Sequence, residues 1–340
     1  MLSWSAFIDA FLKRVSHHYA TLPYNLNWGV DTAPIRAFLS ENPLCVVDVG
    51  AHGGPMGELE GLSRFVSYAG FDADREECRR LQAAAPSGYA AFRIYPYFIG
   101  PAGTVDFHVY ARAGLSSSYR ISDEYNAAFI DTPFEAQRVV PIQALPLDEA
   151  MEREGLRPPD LLKLDTQGSE LAILSGSVRT LSETPLVEAE VEFFPMYDGQ
   201  PLFADVDAFM RAHGFQLLYL NRAFQQRRKF YKGQSRGQLV FGDALFGKAP
   251  SALSGLSPER IAKYVILLAH YGHVDLACQV YSEHPEIRTL CPGLSHCFRP
   301  APSLLRRGLA CQFDKVICLM LHARRTNHLM GDSDRSWPIR

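Results

Sequence analysis

The sequence predicts an α/β protein built on an open, mostly parallel sheet with helices on both faces. Three observations predict it. Short, near-continuous apolar runs recur through the middle of the chain, the mark of strands buried on both faces. Amphipathic stretches of helical length separate several of them, as crossovers between parallel strands require. The first run ends in a glycine loop, where a strand would hand over to a helix.

Composition sets the frame. The chain has 340 residues, 47% of them hydrophobic and 21% charged, which excludes a disordered, collagenous or coiled-coil body. A net charge of -3, from 34 basic and 37 acidic residues, argues against whole-surface attraction to nucleic acid. Seven cysteines with no repeated pair do not make a disulfide scaffold, and a reducing, cytoplasmic setting is expected. No run reaches the roughly 20 apolar residues of a transmembrane segment. Asp9, Lys13 and Arg14 interrupt the N-terminal apolar run, so no signal peptide is expected.

In chain order, residues 1–43 read as a helical lead-in. Trp4, Phe7, Ile8, Phe11, Leu12 and Val15 recur there at helical spacing. Residues 44–248 carry the alternating pattern. Strands are expected at 44–49, 66–72, 91–95, 105–110, 139–142, 161–165, 186–193, 215–220 and 238–241, and helices at 75–85, 170–181 and 202–213. Residues 97–147 have no clear crossover helix and read as an insertion beside the sheet. Gly247, Pro250, Ser251, Ser254, Gly255 and Pro258 mark a boundary. Residues 249–340 then read as a helical extension: a hairpin around Ile261–Leu268 and Leu276–Tyr281, and a third helix at 304–320.

The glycine loop follows the first strand as Asp48-Val49-Gly50-Ala51-His52-Gly53. Gly50 and Gly53 sit where a tight turn passes close to a ligand. The loop departs from the dinucleotide fingerprint at His52, where a second glycine belongs, which disfavours a nicotinamide-dependent oxidoreductase. A sulfonium nucleoside has no pyrophosphate, and Asp48 suits a ligand with a cationic amino-acid end. Asp72, followed by Ala73, ends the second strand 22 residues beyond Gly50, placed to accept the hydroxyls of a ribose. The alternative is a tight turn with a helix cap at Asp72.

These residues resemble the FkbM-type S-adenosylmethionine-dependent methyltransferases. The resemblance rests on residues 46–54, 71–74 and 162–171, the last holding a K-x-D-x-x-G-x-E run of Lys163, Asp165, Gly168 and Glu170, and it covers roughly residues 40–245. It implies the Rossmann-like class I methyltransferase fold, with a mostly parallel seven-stranded sheet. It also implies S-adenosyl-L-methionine as cofactor and O-methylation of a sugar, glycan or polyketide-like hydroxyl. The expected cofactor-binding set is Asp48, Gly50, Ala51, His52, Gly53, Asp72 and Ala73. Where family members commonly have Glu-Pro, this chain has Asp72-Ala73, and the shorter carboxylate must sit closer to the ribose.

Methyl transfer to a hydroxyl needs alignment and a proton acceptor or metal. Asp165, at a strand end, is the first candidate for base or metal ligand; a helix cap is the alternative. Glu170 lies one turn on, able to reach the cleft or to complement a helix N-terminus. Glu190 and Glu192 share one strand face by alternation. Asp165 with Glu190 or Glu192 would suit Mg²⁺, but no histidine joins them at a readable spacing and a metal is not favoured.

For the acceptor, Ser116 and Ser117 would line a pocket or form a flexible turn. Arg227 and Arg228 belong to a basic, aromatic stretch between Asn221 and Gln238 that would grip an acidic acceptor such as a phosphate or uronate, or be a solvated face. No nucleic-acid module is present, and no Asn/Asp-Pro-Pro-aromatic run follows Asp165 as in base-directed N-methyltransferases. Among the C-terminal cysteines Cys278, Cys291, Cys297, Cys311 and Cys318, the spacings fit zinc poorly, and buried thiols are expected. A silent binding or scaffold protein acting through the C-terminal helices is the second functional class. Self-association is left open.

Overall fold

A computed structural model of the chain describes residues 33–55, 57–111, 113–130, 134–227, 229–233, 235–298 and 330–333. The helix expected around Trp4 to Val15, the third C-terminal helix, Arg228, Cys311 and Cys318 lie outside the described residues.

Strand β1 (Leu44–Val49) is buried along its whole length, which is why its sequence is one apolar run broken only by Asp48. It pairs in parallel with β2 (Val66–Phe71), and β3 (Ala91–Tyr95) extends the sheet in parallel beyond β2. A separate three-stranded sheet follows, of β4 (Phe98–Ile99), β5 (Gly103–Tyr110) and β6 (Ala136–Leu145), in the order β4-β6-β5. This is the insertion expected at 97–147. Strand β7 (Leu161–Leu164) returns to the main sheet on the other side of β1, and β8 (Leu186–Glu192) lies parallel beyond it. Strands β9 (Phe215–Gln225) and β10 (Gln238–Lys248) form an antiparallel hairpin, with β10 inserted next to β8.

The seven expected strands of the main sheet are present. An eighth, β11 (Met330–Ser333), adds an antiparallel edge, so the full order is β11-β9-β10-β8-β7-β1-β2-β3. Chain order reverses at β1. The crevice for a ligand therefore opens over the C-terminal ends of β1 and β7.

Both faces are covered. On one, α1 (Ala33–Glu41) packs with two helices from the C-terminal zone. Ile35, Leu39, Val46, Leu161, Leu186 and Leu245 share a core with residues 261–269. Those nine residues lie in α8 (Pro258–His270) and are all buried; eight are apolar, and the Lys263 ammonium is paired with Asp160 and Glu259. Helix α9 (Val274–Glu283) adds Ala277 and Val280. The C-terminal hairpin caps the sheet. The opposite face carries α4 (Leu147–Arg153), α5 (Glu170–Ser175) and α7 (Phe203–Ala212), with Leu147, Ile173, Val206 and Met210 against Val47, Leu162 and Val187. Helix α2 (Arg75–Ala83) follows β2 and α3 (Asp123–Phe129) lies in the insertion.

The single helix expected at 170–181 is two helices, α5 and α6 (Val178–Glu183). Asp148 explains the break. Its carboxylate accepts the Arg179 and Thr180 backbone N–H groups at 2.9 and 2.8 Å, capping a new start, while the Asp148 N–H donates to the Gly176 carbonyl. Among the described residues no helix is long and apolar enough to cross a membrane.

Candidate active site

A cavity of about 520 Å³ opens at the ends of β1, β2, β7 and β8, with the inserted sheet as its outer wall. That size is ordinary for a small-molecule site, roughly 300–1,000 Å³.

The glycine loop forms one end. Gly50 has φ +85°, and a Cβ there would stand 1.9 Å from the Asp165 carbonyl oxygen, so no other residue fits. The Gly50 and Ala51 N–H groups donate to the Phe71 carbonyl, tying the turn to β2. Ala51 is buried beneath the loop. The Gly53 N–H donates to Glu77 Oε1 at 3.0 Å, so the first turn of α2 pins the loop. Gly50 and His52 line the cavity; Asp48, Ala51 and Gly53 do not.

Asp72 and Ala73 line the same end. Asp72 Oδ1 accepts the Asp74 N–H at 2.7 Å; its second oxygen has no hydrogen-bond partner among the described residues. Burial raises its pKa. The cap of α2 is Asp74, which accepts the Glu76 and Glu77 N–H groups, so Asp72 does not serve as the helix cap.

Asp48 faces away from the cavity. The two-residue period of β1 puts it on the face of Val46, where it accepts the Tyr68 hydroxyl at 2.7 Å and the Lys163 ammonium at 3.3 Å. Lys163 reaches Asp165 Oδ2 as well, at 3.5 Å. Burial works against the ammonium, but Asp48, Asp165 and Glu188 outweigh it and hold Lys163 charged. The motif lysine and the loop aspartate are one buried brace under the site.

At the other end Asp165, Gln167 and Glu190 line the cavity. Gln167 Nε2 donates to Asp165 Oδ1 at 3.1 Å and to Glu190 Oε2 at 2.7 Å. Its Oε1 accepts the Tyr197 hydroxyl at 3.0 Å, and its carbonyl accepts the Ser117 hydroxyl at 2.6 Å. Gln167 is the one non-glycine among the described residues with a positive φ, +58°. Such a conformation persists where the surroundings over-determine it, and here four hydrogen bonds do. Burial pushes the Glu190 carboxyl well above the ordinary range, reinforced by the charges of Asp165, Glu192, Glu170 and Asp243.

Glu170 and Glu192 do not line the cavity. Glu170 turns back so that Oε1 accepts the Thr166 N–H at 2.7 Å and its hydroxyl at 2.9 Å, and burial pushes its pKa up to about 7. Asp165 is not a helix cap either, since α5 begins only at Glu170. Glu192 is buried on the strand face it shares with Glu190, and burial raises its pKa well above the ordinary range. Ser116 lines the cavity, whereas Ser117 braces Gln167. Arg227 lies outside the cavity, its guanidinium 4.7 Å over the Phe129 ring and bonded to Gln238. Among the described residues no His, Cys, Asp and Glu group is arranged to hold a metal ion.

Sequence reasoning missed Gln167, Tyr68 and Tyr197. Gln167 stands inside the recognised 162–171 block, but three of its four partners, Glu190, Tyr197 and Ser117, are 23 to 50 residues distant. Tyr68 was findable, because β2 pairs in parallel with β1 and alternation puts Tyr68 and Asp48 on one face.

A family model, the methyltransferase FkbM domain, matches residues 48–217. No curated protein matches the chain. Among solved structures it is similar to magnesium protoporphyrin IX methyltransferase from Synechocystis PCC 6803, at 12% identity and TM-score 0.33 over 73% of this chain and 86% of that one. A putative tRNA (m1A22) methyltransferase from Streptococcus pneumoniae matches at 12% identity and TM-score 0.31, over 86% of this chain and 99% of that one. Precorrin-6y C5,15-methyltransferase from Geobacter metallireducens matches at 10% identity and TM-score 0.29, over 64% of this chain and 90% of that one.

Proposed function

This chain belongs to the FkbM methyltransferase family, and on that premise we propose that it methylates a hydroxyl oxygen of a small organic acceptor, of the sugar, glycan or polyketide type, with S-adenosylmethionine as donor. The observation that carries the reading is the pairing of Asp165 and Glu190 on a single amide, Gln167 Nε2, inside the cavity. A hydroxyl nucleophile must give up its proton, and the two cavity-lining carboxylates are groups able to receive it.

The residues present fit the donor. Asp72 has an uncommitted oxygen for the ribose hydroxyls, Gly50 lets the loop close onto the Asp165 turn at the cavity's edge, and the acids lining the cleft favour a cation. When bound, S-adenosylmethionine supplies an electrophilic methyl group on a sulfonium. Gln167 fixes the two carboxylates relative to each other, and Lys163 fixes Asp165 from below. Glu190 is a stronger base than an ordinary glutamate, because burial and the Asp165 charge both disfavour its ionised form. It would take up the acceptor's proton as the acceptor oxygen gains the methyl group, the methyl–sulfur bond breaking and S-adenosylhomocysteine leaving with that electron pair; such proton transfer contributes roughly 10²–10⁴ in rate.

The test is transfer of radiolabelled methyl from the donor to paired hydroxyl- and amine-bearing acceptors, with the product linkage identified. The reading expects label in base-stable methyl ethers. Label found only in methylamines or methyl esters contradicts it.

A further inference from the structure

The outer wall of the cavity is one face of the inserted sheet, and it differs from the rest of the lining. Strands β5 and β6 are antiparallel, with Phe107 opposite Val140 and Val109 opposite Arg138. Directly opposed residues share a face. Phe107, Val109, Arg138, Val140 and Ile142 all line the cavity, joined by Phe98 of β4, whose ring meets Phe107 edge-on at 5.4 Å. The apolar members are only partly buried, so the protein itself does not cover this face. Arg138 is exposed and makes no hydrogen bond or ion pair with any described residue. It is the one cation on this wall among the described residues; Arg75 and His52 lie across the cavity, beside Asp72 and Asp74.

The wall has a direction. Val109 follows His108, whose backbone pairs with Ser117 at 2.8 and 3.2 Å, and Ser117 bonds Gln167. The charged end, Val109–Arg138, is therefore the end tied to the turn that carries Asp165 and Gln167. The apolar strip runs away from it, through Phe107 and Val140 to Ile142 and Phe98.

Resting on the methyl-transfer reading of this cavity, we propose that the acceptor is an amphiphilic hydroxy acid. Its carboxylate pairs with Arg138, its hydroxyl lies nearby at the Asp165–Glu190 pair, and its apolar body covers the strip. A planar guanidinium matches a carboxylate in two-point geometry. A bare saccharide would leave the strip wet, and a neutral lipid would leave Arg138 unmatched.

The experiment titrates the full-length protein by calorimetry. S-adenosylhomocysteine goes first, and its binding reports on the methyltransferase reading alone. The loaded protein then receives 3-hydroxydecanoate, its methyl ester, or glucuronate. The proposal expects the acid to bind at least roughly tenfold tighter than the ester, the range of a charge-assisted hydrogen bond. Arg138→Gln should remove that difference and Arg138→Lys restore part of it, both with S-adenosylhomocysteine affinity unchanged. Phe107→Ala should weaken acid and ester alike. Equal binding of acid and ester, no binding of either, glucuronate binding as tightly as 3-hydroxydecanoate, or a preference surviving in Arg138→Gln overturns the proposal.

Discussion

Gly50 and Asp165 meet backbone to backbone: a Cβ on Gly50 would lie 1.9 Å from the Asp165 carbonyl oxygen, at φ +85°. The glycine loop and the turn that carries Asp165 are thus in direct contact, so a shift of one displaces the other. Gly53 has the same φ and nothing within 4 Å of its hypothetical Cβ. Gly50→Ala is expected to displace the turn and weaken S-adenosylhomocysteine binding by roughly a hundredfold or more, whereas Gly53→Ala pays only the left-handed penalty, about 1 kcal/mol of stability. Calorimetry and thermal melts separate them; equal effects would mean that the contact does not matter.

Gln167 gives a sharper separation of strain from positioning. Gln167→Gly keeps φ +58° without penalty, and Gln167→Ala keeps the strain while losing the same side-chain bonds. The glycine variant should be the more stable of the two, by about 1 kcal/mol. Both should lose kcat by roughly ten- to a hundredfold, since the two carboxylates lose their common anchor. S-Adenosylhomocysteine affinity should hold in both. A kcat near wild type in either variant contradicts the positioning role.

The pH dependence follows from the carboxylate pair. Glu190 must be ionised to take a proton, and its pKa is raised by burial first and the Asp165 charge second. kcat/KM should therefore rise with pH through a limb above the ordinary glutamate value of about 4.3. Asp165→Asn removes a negative neighbour, which lowers the Glu190 pKa and moves the limb to lower pH. A limb that stays or moves upward would count against the pair, as would full activity in Glu190→Gln.

How much of this was legible in the sequence depends on the range of the contacts. Buried strands read as continuous apolar runs, so β1, β3 and the turn after β7 were placed almost to the residue. Asp72 and Asp165 follow strand ends, and a strand end in such a sheet is a ligand edge. The loop motif alone suits Asp48 to a ligand, but strand alternation turns its side chain to the face of Val46, onto Tyr68 and Lys163. Glu170 and Glu192 looked equivalent to Glu190, since composition does not tell which acid faces a cavity. Arg138 stood in no motif; only the pairing with Val109 across the inserted sheet brings it to the site.

The buried brace beneath the loop should behave as one unit. Asp48 and Lys163 lie 3.3 Å apart, with the Asp48 side chain 1% exposed. Lys163→Met leaves the Asp48 carboxylate buried without its cation and should cost roughly 3–5 kcal/mol; Asp48→Asn leaves Lys163 with Asp165 and should cost less. The double variant should cost clearly less than the sum, because it removes both charges. Chemical denaturation of the four proteins measures the coupling. Strict additivity would show that the two side chains act independently.

The most direct test of the account is calorimetric titration of the wild-type protein and Asp72→Ala with S-adenosylhomocysteine. The account predicts a single saturable site in the wild type and a loss of roughly tenfold or more in affinity in the variant, with its melting temperature little changed. No heat with the wild type, or the same affinity in both proteins, would contradict it.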